Sequence, residues 1–158
     1  MRFGRKLDTE MDATKLHLLF NHFPFAGTVI GPIVLIYGTR RRSEKAQKIG
    51  LGILILTAIL TLVVFGTGEA AGKGSDLLIG QVWTNIQGHQ ASALPAFAVI
   101  EANGIFALFG LINLMRKKAL TKWLIIIVFL LSFASVGLTA RTAYLGRSIH
   151  SVDAPIAR

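Results

Sequence analysis

The chain contains no cysteine. That excludes disulfides, thiolate zinc sites, cysteine-held iron–sulfur clusters and covalently attached c-type haem. Charge is scarce too: 16% of the 158 residues are Asp, Glu, Lys or Arg, where soluble domains carry about 25%. Acidic residues are the scarcest, eight against 17 basic, for a net charge of +9. The opening stretch MRFGRKLDTEMDAT has no apolar core, which predicts no signal peptide. Apolar residues are abundant at 53%, with a mean hydropathy of +0.59. So much apolar content excludes disorder. Its arrival in four long blocks predicts an integral membrane protein.

A helix needs about 20 mainly apolar residues to cross a bilayer. Residues 16–37, 49–65, 95–115 and 123–139 meet that need, and the second and fourth blocks contain no charge. The runs are continuous rather than alternating, which favours helices over barrel strands, because lipid leaves backbone groups no water to bond. Short connections between these blocks predict an all-α, up-down-up-down four-helix bundle forming one membrane domain over residues 1–158. The longer segment 67–94 is the outer loop. Within it Ser75 is placed to cap a short amphipathic helix through Ile86, with Trp83 at the interface. Gly27, Gly31, Gly104, Gly110, Ala134 and Gly137 predict close helix packing. Pro24 and Pro32 predict a kinked first span.

Basic residues set the orientation. The loop after the first span holds Arg40, Arg41, Arg42, Lys45 and Lys48, and the loop after the third holds Arg116, Lys117, Lys118 and Lys122. The outer loop carries only Lys73. The positive-inside rule then places both basic loops in the cytoplasm and both termini outside. Lysine and arginine split between two short loops read as topogenic, which excludes nucleic acid as a partner despite the pI near 10.5. In a bacterial inner membrane the outer side is the periplasm.

All four histidines, His17, His22, His89 and His150, fall at the outer end of this topology. Glu69, Arg141, Arg147 and Asp153 join them there. His17 and His22 are five apart, about 140° around a helix, whereas helix-borne metal pairs are usually three or four apart. They therefore do not chelate one ion together. The Glu-x-x-His pairs of di-iron bundles are absent. Single histidines on facing helices suit one or two haem b groups, held as bis-histidine iron without cysteine. His22 with His89 is the first expected pair and His17 with His150 the second. Arg141 and Arg147 are placed to meet propionates, and Glu69 and Asp153 to orient imidazoles. Glu101, inside the third span, is costly in hydrocarbon. It reads either as a proton carrier or as a structural carboxyl bonded to Asn103, Ser132 or Thr57. Phe20, Phe23, Phe25 and Phe97 read as packing or as a porphyrin lining.

The stretch LHLLFNHFPFAGTVIG (16–31) resembles the first helix of a family of uncharacterised bacterial four-helix inner-membrane proteins, a domain of unknown function. Those proteins carry an Asn-His-x-Pro or His-Phe-Pro signature there. TGEAA (67–71), GHQA (88–91) and TARTAYLGRSIH (139–150) fit the same pattern. On this resemblance the matching positions are His17, Asn21, His22, Pro24, Glu69, His89 and His150. The surroundings of His89 and His150 depart from the family pattern, which has a more acidic stretch at the first and a Gly-Gly pair before the second. The resemblance implies a redox setting.

The function expected from the sequence is therefore a haem b-binding membrane redox protein, or a small subunit of one. It would pass electrons between the quinol pool and an outer-side, periplasmic carrier or respiratory complex. The alternatives are a non-haem zinc, copper or iron site with mixed ligands from His22, His89, His150 and Glu69, with His17 as a further candidate, and a non-catalytic scaffold or assembly subunit.

Overall fold

The structure is a computed structural model. It describes residues 15, 19, 20, 22–73 and 81–150, and the side chains of these except 69–73, 81–83 and 148–150. The described residues form four helices: α1 (His22–Arg40), α2 (Glu44–Lys73), α3 (Gln81–Met115) and α4 (Lys122–His150). Four stretches of these helices are long and apolar enough to cross a membrane, bounded by His22–Arg40, Glu44–Gly68, Thr84–Met115 and Lys122–Arg147.

Packing follows chain order, α1 on α2, α2 on α3 and α3 on α4, with α4 closing against α1. Side-chain registers show that consecutive helices run antiparallel. Gly27 and Gly31 of α1 lie beside Thr57 and Leu54 of α2, and Gly104 and Gly110 of α3 lie beside Ala58 and Leu51. Asn103 of α3 meets Ser132 of α4. A core of Leu35, Leu51, Leu54, Ala107, Leu114 and Val128 fills the centre.

The distribution of polarity is the reverse of a soluble bundle. Phe133 is 84% exposed and Ile105 67%, while Thr28, Thr57, Asn103, Ser132 and Ser135 are buried. Several of these hydroxyls are satisfied locally, as where Thr57 Oγ1 donates to the Ile53 carbonyl at 2.7 Å and Ser132 Oγ to that of Val128 at 2.7 Å, while Ser135 Oγ and Asn103 Oδ1 are buried without a partner. An apolar exterior with internally bonded polar groups is what a hydrocarbon solvent selects.

The helices are longer than their apolar blocks. α2 runs on to Lys73, α3 begins at Gln81 instead of residue 95, and α4 continues to His150. Residues 81–94 are therefore not a loop, and the separate helix expected through Ile86 is the first part of α3. The Ser75 cap lies outside the described residues, as does the side chain of Trp83. Pro95 does not open a helix but sits within one, removing one backbone donor. Of the two prolines expected to disturb the first span, Pro32 lies inside α1 and Pro24 is buried on the same helix.

Four of the six small residues expected at interfaces are there. Ala134 and Gly137 are exposed, and a Cβ on Gly137 would meet nothing within 4 Å. Two unexpected glycines sit against main chain: a Cβ on Gly38 would lie 2.6 Å from the Gln47 nitrogen, and one on Gly50 2.6 Å from the Leu35 nitrogen.

Candidate functional site

His89 sits in the third turn of α3, half-buried against α4. Its Nδ1 lies 2.9 Å from the carbonyl oxygen of Thr142. A carbonyl only accepts, so Nδ1 carries the hydrogen and donates it. In the neutral ring Nε2 then holds the lone pair, the tautomer found in histidines that ligate through Nε2. Gly146, one turn beyond Thr142, makes room for the ring: a Cβ there would stand 3.2 Å from both Nδ1 and Cε1 of His89. One turn inward, Ser92 Oγ and Thr142 Oγ1 are 3.1 Å apart, and Thr142 Oγ1 reaches the Leu138 carbonyl at 2.9 Å and that of Ser92 at 3.1 Å. These bonds tie α3 to α4 around the imidazole.

His22 does not join it. Across α1 and α2 the contacting residue numbers fall in the pairs 27 with 57 and 31 with 54, and across α2 and α3 in the pairs 58 with 104 and 65 with 97. His22 is thus level with about residue 99 of α3, and His89 lies about 15 Å further out along the axis at 1.5 Å per residue. Its side chain is exposed, while His89 is turned onto α4. Two axial nitrogens must come within about 4 Å of each other, given metal–nitrogen bonds near 2 Å. The His22–His89 pair is therefore not assembled. The cause is the length of α3: placing its start at residue 95 brought His89 level with the top of α1, whereas the helix carries it three turns higher.

His150 lies on the stripe of α4 that holds Thr142 and Gly146, since 142, 146 and 150 are four apart. Glu69 belongs to the last turns of α2. The side chains of both lie outside the described residues, as do His17, Asn21 and Asp153 altogether. Arg141 and Arg147 are exposed on α4. Among the described residues no group of three His, Cys, Asp or Glu side chains is arranged to hold a metal ion.

Glu101 is half-buried in α3, and its Oε1 is buried without a hydrogen-bond partner. Asn103 does not serve it. Two residues apart is 200° on a helix, and Asn103 Nδ2 instead donates to Ser132 Oγ at 2.9 Å. Thr57 Oγ1 is also committed, to its own helix. Phe97 stacks on Phe65 with ring centres 4.4 Å apart, and Phe20 packs on Phe23 at 5.8 Å, while Phe23 and Phe25 are largely exposed.

Thr142, Gly146 and Ser92 were not singled out by the sequence. Their signal was present as spacing: His-x-x-Ser on one helix opposite Thr-x-x-x-Gly on another, each a one-turn repeat. Fold and site together define an all-α, four-helix membrane bundle with a tautomer-fixed histidine near one end. No protein-family model, curated protein or solved structure matches the chain.

Proposed function

We propose that this chain is a haem b-binding redox protein of a bacterial inner membrane, or the small subunit of one. It passes electrons between the quinol pool and a carrier at the outer face. The observation that carries this reading is the Nδ1–H bond of His89 to the Thr142 carbonyl. That bond orients the ring and raises the basicity of Nε2, which is what second-shell acceptors do for ligating imidazoles. When bound, haem supplies the one-electron chemistry.

This chain's residues do the rest. His89 would hold the haem iron together with His17 or His150. Thr142 and Gly146 fix the ring, and Arg141 and Arg147 on the exposed side of α4 offset propionate charge. Glu101 is the proton-carrying carboxyl, Glu69 and Asp153 act on the far nitrogen of the second imidazole, and the basic loops face the cytoplasm.

A second reading has its own support. His89 packs directly on α4 at Gly146, a spacing that suits a compact ion better than a porphyrin between these two helices. Zinc, copper or iron held by His89, His150 and Glu69 is that reading. Visible spectra and metal analysis of the purified chain separate the two. A Soret band with split α and β bands on reduction supports haem. Stoichiometric metal without that band supports the ion, and neither result leaves a scaffold.

A further inference from the structure

The opposite end of the bundle carries a second built feature, independent of the histidine site. α1 and α3 end in the same motif. After α1, Ser43 N–H donates to the Gly38 carbonyl at 2.8 Å and Arg42 N–H to that of Thr39 at 3.3 Å. After α3, Lys118 N–H donates to the Asn113 carbonyl at 2.9 Å and Lys117 N–H to that of Leu114 at 3.1 Å. This is the Schellman arrangement, whose left-handed position is usually glycine. Here it is arginine and lysine, with φ of 52° at Arg42 and 56° at Lys117. Left-handed backbone is unfavourable for a side chain with a Cβ, so both turns keep a basic residue where glycine is the relaxed choice.

The two turns border one cavity of about 650 Å³. Arg42, Lys48, Lys117 and Lys118 line it, over an apolar wall of Leu114, Leu120 and Ile125. Glu44 is its one carboxylate, and Glu44 is already paired with Lys48 at 2.6 Å. Arg42, Lys117 and Lys118 have no carboxylate partner among the described residues. Three cations above an apolar wall, where α1 and α3 leave their apolar zone, match a phosphate joined to a glycerol and acyl chains. We propose that this cavity binds the phosphate of an anionic phospholipid headgroup. Topogenic charge needs neither the cavity nor the left-handed backbone. Basic pockets between membrane helices bind such headgroups by the same electrostatics.

The test uses the full chain with Trp83→Phe, so that Trp123, beside Lys122 at the start of α4 and half exposed, is the only tryptophan. The chain is reconstituted in phosphatidylcholine vesicles containing either brominated phosphatidylglycerol or brominated phosphatidylcholine at equal mole fraction. Stronger quenching of Trp123 by the anionic lipid is expected. In Arg42→Gly/Lys117→Gly the preference falls about fivefold per cation removed, the worth of one basic residue beside an anionic surface. The same variant melts in detergent no lower than its parent, because glycine suits the left-handed turns. Equal quenching by both lipids in the parent overturns the proposal, as does a preference that survives the double substitution. A parent that shows no quenching preference but melts higher with added inorganic phosphate at constant ionic strength identifies a soluble phosphate as the ligand and overturns the lipid.

Discussion

Replacing Gly50 by alanine tests the close approach of α1 and α2. A methyl at Gly50 would lie 2.6 Å from the Leu35 backbone nitrogen and 2.9 Å from its Cα. Ordinary contact begins at 3.4 Å, so the methyl is short by about 0.8 Å. Its obstacle is main chain, which no rotamer change moves aside. The helices must part by a comparable distance, and a gap of about 0.5–1 Å forfeits a quarter to a half of each dispersion well along the seam. The expected loss is about 1–3 kcal/mol, the range for overpacking a filled interior. Gly52 is the matched control two residues along the same helix, where a Cβ meets nothing within 4 Å. Gly52→Ala should be neutral or stabilising by up to about 1 kcal/mol through helix propensity. Unfolding midpoints in mixed micelles titrated with SDS, followed by circular dichroism, measure both. Equal stability of the two variants would refute the interface.

Ser132→Ala leaves Asn103 Nδ2 buried without its acceptor and should cost about 1–3 kcal/mol, whereas Ser132→Ala with Asn103→Leu removes both polar groups and should recover most of it. A double variant no better than the single one would contradict the pairing seen between these residues. Glu101→Met removes a carboxyl whose Oε1 is buried without a partner, and the same SDS titration should show a gain of about 1–3 kcal/mol. A loss of stability there would mean that the carboxyl is held by a bond the structure does not contain. With no native cysteine, Thr84→Cys and Ala119→Cys report orientation directly. An impermeant maleimide should label the first on intact cells and the second only after lysis, and the reverse pattern would invert the topology.

The four helices were legible because apolar blocks in a chain with so little charge have few other uses. Their ends were not. Hydropathy marks where a helix is in lipid, and Gln81–Leu94 and Ala140–His150 are helical without being continuously apolar. That difference displaced the site. His89 was singled out by residue type, but its neighbours depend on how far α3 and α4 continue, which sets Thr142 and Gly146 against it and leaves His22 behind. Glycine contacts divide in the same way. Gly104 and Gly137 look alike in a small-residue count, yet one faces Ala58 and the other faces outward. Helix phase relative to a partner is a property of the packed bundle, not of a single segment. The basic loops were legible as charge. Their left-handed turns were hidden because arginine and lysine, unlike glycine, give no sequence signal for that conformation.

The most direct test of the proposed function is the visible spectrum of the full chain, purified in mild detergent from cells supplied with haem, before and after dithionite. A sharp Soret band with resolved α and β bands on reduction is expected for the parent and should be lost in His89→Ala. His22→Ala should retain it. A featureless spectrum from the haem-supplied parent, or an unchanged one from His89→Ala, would contradict the account.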